Sequence, residues 1–194
     1  IIYDIFRTIF FGEFNKNMPF KISDKPNPEG AYSESKLEAE NSLRKIALNH
    51  NIELVIIRPS LVYGPGVKAN FKKLIKFSIS GLPIPFKDIN NKRSFIYNEN
   101  LNDMIINCVN NPKAANQTFL VSDDNDVSVS ELILKIAKIA DTKVILFKLP
   151  RHLLVFLLKI IGKASIENSL LSDFRVDISH TKNVLSWSPR YTLD

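Results

Sequence analysis

The chain has 194 residues, of which 45% are hydrophobic and 24% are charged. This length and composition fit a globular domain with its own core and exclude a disordered chain. The net charge of +6 comes from scattered lysines, which indicates a solvated surface, with attraction to an anionic ligand such as a diphosphate as the alternative. No basic run is interleaved with aromatic residues, so nucleic-acid binding is disfavoured.

Cysteine content and hydropathy bear on the compartment. The one cysteine, Cys108, cannot form an internal disulfide, and its apolar setting predicts a buried, unreactive thiol, a pattern that suits the cytoplasm. The most apolar run, 153–161, contains Lys159 and is too short for a membrane span, so it predicts a buried or interface helix. There is no signal-peptide pattern, and a first residue other than Met suggests a start within a longer protein.

The first elements in chain order predict the fold class. The apolar segment 1–6 predicts a strand, and the segment 11–27, which contains glycine and prolines, predicts a loop. Apolar residues at helical spacing predict a helix over 31–50, and the continuous apolar run 53–58 predicts a buried parallel strand. Strand, loop, helix and strand in this order predict an α/β layered domain with right-handed crossovers.

The remaining elements continue this alternation, with no internal repeat and no interior linker. Their predicted bounds are a turn at 62–66, a helix at 70–80 ended by Gly81, a loop to residue 93, a strand at 94–97, a helix at 101–109, a strand at 118–121, a helix at 132–140 after a capping box formed by Ser128 and Glu131, a strand at 143–147 and a helix at 177–185.

The segment Ala31-Tyr-Ser-Glu-Ser-Lys36 contains the most informative pair of residues. Tyr32 and Lys36 are four residues apart at the start of a predicted helix, so they share one face. A cation beside a phenol favours the phenolate, so such a pair can exchange a proton with a hydroxyl group near neutral pH. The alternative is a surface tyrosine packed on a lysine stem.

Further motifs follow this pair in a fixed order. They are Arg58-Pro-Ser-Leu-Val-Tyr-Gly-Pro65, Asn70, Gly81-Leu-Pro-Ile-Pro-Phe86 and Lys92-Arg-Ser-Phe-Ile-Tyr97. From about residue 12 to the end, the series resembles the extended short-chain dehydrogenases/reductases of the NAD-dependent epimerase/dehydratase family, above all UDP-glucose 4-epimerases and UDP-4-keto-6-deoxy-hexosamine reductases. The resemblance implies an incomplete Rossmann-like parallel sheet with a small C-terminal α/β substrate lobe.

The resemblance also implies a division of the chain. Residues 1–194 form a single partial domain, in which 1–66 and part of 94–121 are the remainder of the Rossmann core. Residues 67–93 and 122–194 form the substrate-binding lobe.

Catalytic and cofactor-binding roles follow from the same resemblance. Tyr32 is the expected acid/base, and Lys36 is expected to hold the nicotinamide ribose and to tune the tyrosine. Pro59, Leu61 and Val62 are expected to lie along the nicotinamide of NAD or NADP. Many epimerases have Asn where Leu61 stands, which leaves the 4-keto reductases open as well as the epimerases.

Substrate-binding roles are implied for a second set of residues. Asn70 and Arg93 are expected to grip the diphosphate of a UDP-sugar, since the planar guanidinium fork matches phosphate oxygens. Ile84, Pro85 and Phe86 are expected to line the uracil pocket. The alternatives are a helix cap for Asn70, a solvated charge for Arg93 and a core position for Phe86.

Other polar and aromatic residues point to structural roles. Arg58 is expected to end a strand and to pair structurally, and Trp187 is expected to anchor packing. His50, His152 and His180 have no metal-ligand spacing, so no metal site is expected.

Two departures from the family pattern bear on activity. The six glycines include no Gly-x-x-Gly-x-x-Gly turn, which in this family lets the cofactor pyrophosphate approach backbone amides. The family also has Ser or Thr five residues before a glycine like Gly12, where this chain has Arg7 with Thr8 beside it.

The resemblance implies an enzyme that moves a hydride between NAD(P) and C4 of a UDP-hexose, in the synthesis of surface polysaccharide precursors, with a possible homodimer through the helix that bears Tyr32. The alternative is a truncated, inactive remnant that binds at most a nucleotide sugar or serves as an interaction module.

Overall fold

A computed structural model describes residues 2–5, 18–66, 69–160 and 171–193. In chain order their secondary structure is β1 (Ile2–Ile5), α1 (Ala31–Asn49), β2 (Leu54–Pro59), β3 (Leu61–Tyr63), α2 (Ala69–Ser78), β4 (Phe95–Tyr97), α3 (Asn98–Asn110), a short 3₁₀ helix (Pro112–Ala114), β5 (Thr118–Val121), α4 (Val129–Ile139), α5 (Arg151–Ile160) and α6 (Ser179–Leu185).

The main sheet is parallel, with strand order β1-β2-β5. Asp4 pairs with Ile56, and Ile57 pairs with Phe119. Val55, Ile56 and Ile57 have no exposed surface, because a strand in the middle of a parallel sheet is covered on both faces. This explains why β2 is a continuous apolar run, and it confirms the predicted mixed α/β class with a partial Rossmann-like sheet.

A second, two-stranded parallel sheet begins directly where β2 ends. Its strands are β3 and β4, and Leu61 pairs with Phe95. Only Ser60 separates β2 from β3, and its backbone N–H donates to the carbonyl of Val121 at 2.9 Å. The chain therefore passes from one sheet to the next at the carboxyl end of β2, where parallel α/β sheets bind their ligands.

Apolar side chains form one large cluster and two smaller ones. The large cluster surrounds the main sheet and includes Cys108 and Trp187, at 2% and 4% exposure. The smaller clusters pack α4 against α2 and against the segment around Ile84. Burial raises the pKa of the Cys108 thiol to about 11, and Trp187 Nε1 donates to Asp103 Oδ2 at 2.8 Å. The predictions of a buried thiol and a packing tryptophan are confirmed, and the raised pKa is in line with an unreactive thiol.

The predicted elements are mostly confirmed, including the capping box of Ser128 and Glu131. The turn at 62–66 was wrong in part, because residues 61–63 pair with β4 and only 64–66 turn. The strand at 143–147 was wrong, because the segment makes one isolated bridge, between Ile84 and Leu146. The helix expected at 101–109 begins three residues earlier, at Asn98. Within the described ranges, no helix is long and apolar enough to cross a membrane.

Candidate active site

The first turn of α1 presents Tyr32 and Lys36 at the surface. Gly30 precedes the helix with φ +87°, a conformation that favours glycine. Ser33 Oγ donates to the carbonyls of Glu29 and Gly30, at 2.6 and 2.8 Å, which secures this turn. Tyr32 is 55% exposed, and Lys36 Nζ lies 5.9 Å from the centre of its ring. The pair therefore shares one solvent-facing surface, within the range of a cation–π contact.

Topology brings α1 and the end of β2 to the same edge of the sheet. Because β1 and β2 are parallel, the helix that connects them runs back across the sheet and begins at the carboxyl edge. Pro59 at this edge is buried, and Leu61 and Val62 are half-buried. Ser60 Oγ is buried and has no hydrogen-bond partner among the described residues. An orphaned hydroxyl at this edge fits a ligand-binding position.

A buried ion network fastens α1 to β2. The Glu40 side chain is 2% exposed, and its Oε1 accepts from Arg58 Nη2 at 2.6 Å while its Oε2 accepts from Arg58 Nε at 3.1 Å. Arg44 Nη2 donates to Glu40 Oε1 at 2.9 Å and to Thr118 Oγ1 at 2.7 Å. The only other buried residues of α1 are Ser33 and Ala47, so polar contacts carry much of its attachment. The structural pairing predicted for Arg58 is confirmed.

A second buried carboxylate lies just beyond β5. Asp123 is 2% exposed and accepts from Tyr63 Oη at 2.8 Å, from the Tyr97 N–H at 3.0 Å and from Asn100 Nδ2 at 2.7 Å. Burial raises the pKa of Asp123, although these donors act in the opposite direction. Burial, followed by the hydrogen bond to Asp123, also raises the pKa of Tyr63. The network ties β3, β4 and α3 together next to Val62.

Asn100 extends this network to the end of the chain. Its Oδ1 accepts from the N–H groups of Arg190 and Tyr191 at 3.0 and 3.1 Å, and its Nδ2 donates to the Tyr191 carbonyl at 2.9 Å. The C-terminal segment is therefore held against α3 by backbone contacts to one buried amide.

The expected substrate-binding residues lie in different surroundings. Arg93 is half-buried: its Nη1 donates to the Ser172 carbonyl at 2.8 Å, and its guanidinium lies 5.8 Å from the Phe174 ring centre. Ile84 and Phe86 belong to a core cluster, at 0% and 7% exposure, in line with the core alternative for Phe86.

Pro85 between them is half-buried, and the Phe86 carbonyl accepts from Ser130 Oγ on α4. The side chain of Asn70 lies outside the described residues, as do Arg7, Thr8 and Gly12. The binding roles of all these residues stay predictions.

The sequence of this region matches a known family. The model of the NAD dependent epimerase/dehydratase family matches residues 8–122, more than half of the chain. The chain belongs to this family. The matched range holds Tyr32, Lys36, the 59–62 segment and Arg93, and it ends one residue before Asp123.

Individual relatives agree with this membership. The chain is 46% identical over 176 residues to a UDP-glucose 4-epimerase of Vibrio cholerae. This alignment covers 90% of the chain and 54% of the relative. The chain therefore spans about half the length of this relative. A structure of UDP-glucuronic acid 4-epimerase from Bacillus cereus, in complex with UDP-glucuronic acid and NAD, has 22% identity and a TM-score of 0.75 and covers 98% of this chain and 57% of that one.

A structure of RMD from Pseudomonas aeruginosa complexed with NADPH has 18% identity and a TM-score of 0.74. The match covers 98% of this chain and 61% of that one. At these identities the two solved structures establish the fold alone.

Sequence reasoning assigned no role to Glu40 or Asp123, the two buried carboxylates that lie next to the candidate site. Glu40 lies one more four-residue step along α1, and each such step turns the helix by about 40°, so Glu40 is rotated away from the exposed surface of Tyr32 and toward the sheet. Asp123 follows a buried strand at its carboxyl end, where polar residues of α/β proteins often serve a site. The residues on both sides of Ser60 were expected to line the nicotinamide, but the lack of a hydrogen-bond partner for its hydroxyl depends on tertiary neighbours and could not be read from the sequence.

Proposed function

We propose that the protein carrying this chain moves a hydride at C4 of a UDP-hexose, as an epimerase, dehydratase or reductase that uses NAD or NADP. The observation that carries the proposal is the Lys36 ammonium 5.9 Å from the Tyr32 ring centre, on an exposed helical turn at the carboxyl edge of the sheet. This arrangement suits a tyrosine that exchanges a proton with a substrate hydroxyl. The similarity to the Vibrio cholerae epimerase supports the choice of substrate class.

In this proposal the bound cofactor accepts or supplies the hydride, and the protein positions the sugar and handles the proton. The Tyr32 oxygen would exchange a proton with the C4 hydroxyl, and a nicotinamide bound beside it would accept the hydride from C4, so that the alcohol would become a ketone. Return of a hydride to C4 and of the proton to the oxygen restores the alcohol. The Lys36 ammonium, 5.9 Å from the ring centre of Tyr32, would stabilise negative charge that develops on the Tyr32 oxygen during this transfer.

The 59–62 segment would form the wall on which the nicotinamide rests. Pro59, Leu61 and Val62 are apolar and at least half-buried, so they would exclude water from the hydride path. The unpartnered hydroxyl of Ser60 gives this wall one polar group able to bind a ligand. These 194 residues contain no glycine-rich pyrophosphate turn, so the pyrophosphate would have to be held by residues outside them.

Substrate binding is assigned to the C-terminal lobe. Arg93 and Asn70 would bind the diphosphate, and Ile84, Pro85 and Phe86 would line the uracil pocket. The contact of the Arg93 guanidinium with Ser172 and Phe174 supports a fixed orientation for its N–H donors, which favours phosphate binding.

The proposal extends to the cellular setting. We place the enzyme in the cytoplasm, in the synthesis of surface polysaccharide precursors. We also propose a homodimer through α1, on which Leu48 is an exposed apolar side chain, at 82% exposure.

Turnover of UDP-glucose by the natural gene product that carries these residues tests the proposal. We expect conversion to UDP-galactose or a 4-keto product in the presence of NAD, separated by anion-exchange chromatography, and a loss of about 10² to 10⁴-fold in Tyr32→Phe. Tyr191→Phe is the matched control, because Tyr191 is similarly exposed, at 52%.

Three outcomes separate the alternatives. Loss of activity in Tyr32→Phe alone supports the enzyme. Calorimetric binding of UDP-glucose without NAD binding or turnover indicates the inactive remnant. Equal activity of both variants contradicts the role of Tyr32.

A further inference from the structure

The helix that bears Tyr32 is attached to the sheet by an unusual contact. Glu40 is a carboxylate of α1 with 2% of its side chain exposed, and Arg58, at 7%, is the last residue of β2 before Pro59. Two hydrogen bonds, at 2.6 and 3.1 Å, join them. A forked guanidinium–carboxylate contact fixes direction as well as distance, whereas apolar packing tolerates sliding.

The contact defines the relative height of two segments that the proposed reaction must bring together. Counting from Glu40 toward the start of α1, Lys36 lies about 6 Å away and Tyr32 about 12 Å, at 1.5 Å per residue. From Arg58 the chain continues through Pro59 directly into Ser60 and β3. Because α1 runs antiparallel to β2, the start of α1 and the 59–62 segment lie on the same side of the contact, toward the carboxyl edge. The contact therefore ties the turn that bears Tyr32 and Lys36 to the strand that leads into the 59–62 segment.

We propose that Glu40 and Arg58 are positioning residues that set the height of Tyr32 and Lys36 against the 59–62 segment. The proposal rests on the function assigned above to Tyr32 and Lys36. Buried ion pairs stabilise proteins little compared with apolar residues of similar size, so stability alone does not account for this one. A fixed register does, because a displacement of about 1 Å at a reacting centre can lower a rate about 10²-fold.

A comparison of single and double variants separates positioning from stability. Glu40→Gln and Arg58→Lys each weaken the pair, and they are expected to lower both the melting temperature and kcat. The double variant Glu40→Met with Arg58→Leu replaces the pair by apolar side chains, so its melting temperature is expected to recover. Its kcat is expected to stay about 10 to 100-fold below wild type, with KM for UDP-glucose within about 2-fold.

Thr181→Val is the control for loss of stability without displacement of α1. Thr181 Oγ1 is buried on α6 and donates to the Leu120 carbonyl at 2.7 Å, so its loss destabilises the main sheet at another contact. We expect this variant to melt earlier than wild type and to keep its kcat when assayed below the melting range.

Nuclear magnetic resonance of the 194-residue chain gives a readout that does not depend on turnover. The Tyr32 ring and the methyl groups of Leu61 and Val62 are expected to change chemical shift in the Glu40→Met/Arg58→Leu variant and to stay unchanged in Thr181→Val. If these signals move and the wild-type gene product turns over no UDP-hexose, the proposed function fails and the positioning of α1 stands. If kcat recovers together with the melting temperature, or the signals stay unchanged, the positioning role is refuted.

Discussion

Asp123 offers the sharpest prediction about how this fold is held together. Truncation by Asp123→Ala removes the acceptor of three donors: Tyr63 Oη, the Tyr97 N–H and Asn100 Nδ2. A buried donor left without an acceptor costs about 1–3 kcal/mol. The Tyr63 hydroxyl can rotate toward another partner, so only the Tyr97 N–H and Asn100 Nδ2 are left fully unpaired. We therefore expect the unfolding free energy to fall by about 3–5 kcal/mol. In Asp123→Asn the remaining oxygen can serve Tyr97 and Asn100 while the amide faces the Tyr63 hydroxyl, so the loss should be much smaller.

The pH dependence of the Asn variant tests the same site further. Burial raises the pKa of Asp123 above its ordinary value of 3.8, so the folded protein holds this proton more tightly than the unfolded chain. The stabilisation that comes from this tighter proton binding is complete below pH 3.8, the ordinary pKa, and is lost as pH rises through the raised pKa of Asp123. The unfolding free energy of wild type minus that of Asp123→Asn should therefore fall with rising pH and then level off. The other titratable groups are the same in both proteins, so their contributions cancel from this difference.

Urea denaturation of wild type and both Asp123 variants, followed by circular dichroism between about pH 4 and 8, provides these values. A difference between wild type and Asp123→Asn that grows with rising pH would mean that the hydrogen-bond donors outweigh burial and would refute this reasoning. Equal losses in the Ala and Asn variants would show that unpaired donors are not the origin of the effect.

Further changes test other parts of the structure. Gly64 has φ +143° and an added Cβ there would clash with Asn98 Oδ1, whereas Gly66 has φ +78° and an added Cβ meets nothing within 4 Å among the described residues. The clash and the less accessible φ both act at Gly64, so we expect Gly64→Ala to lower the unfolding free energy in urea melts by about 2 kcal/mol more than Gly66→Ala, which should lower it by about 1–2 kcal/mol; equal losses would contradict this description of Gly64. Hydrogen bonding to the backbone amide of the α4 N-cap lowers the pKa of Glu131 from 4.5. Because this side chain is half-exposed, solvent screening limits the effect, and we expect the unfolding free energy of wild type to exceed that of Glu131→Gln by at most about 0.5 kcal/mol at neutral pH in urea melts. This difference should be lost as pH falls through the lowered pKa, and a constant difference would argue against it. Trp187→Phe removes the 2.8 Å hydrogen bond from Trp187 Nε1 to Asp103 on α3 and should lower the unfolding free energy by about 1–3 kcal/mol. An unchanged melting curve would contradict the packing and hydrogen-bonding role of Trp187.

Local patterns predicted the elements whose stability is local. The helix over 31–50 and the capping box at Ser128 were predictable because helical periodicity and capping are read from residues three and four positions apart. The surface shared by Tyr32 and Lys36 follows from the same geometry. The apolar run of β2 was predictable because burial on both faces leaves a continuous signal.

Contacts between distant residues account for what the sequence did not reveal. β3 was taken for a turn because its partner β4 lies 34 residues further along, as Leu61 and Phe95 show. Residues 143–147 have strand-like composition, yet their backbone pairing with the segment 84–87 amounts to one isolated bridge, between Ile84 and Leu146, and a few hydrogen bonds around it. The partner of Arg58 could not be identified from spacing, since Glu40 lies 18 residues away on another element. Strand pairing and buried ion pairs depend on tertiary neighbours rather than on propensity.

The most direct test of the proposed chemistry follows the hydrogen at C4 of the sugar. UDP-glucose carrying deuterium at C4 is incubated with NAD and the natural gene product that carries this chain, and the products are analysed by mass spectrometry and nuclear magnetic resonance. We expect the C4–deuterium bond to break, with deuterium recovered at C4 of UDP-galactose or, if a 4-keto product is released, on the nicotinamide of the reduced cofactor. We expect Tyr32→Phe to suppress this transfer about 10²-fold or more. Recovery of UDP-glucose with its deuterium untouched, or transfer at the wild-type rate in Tyr32→Phe, would contradict the proposed chemistry.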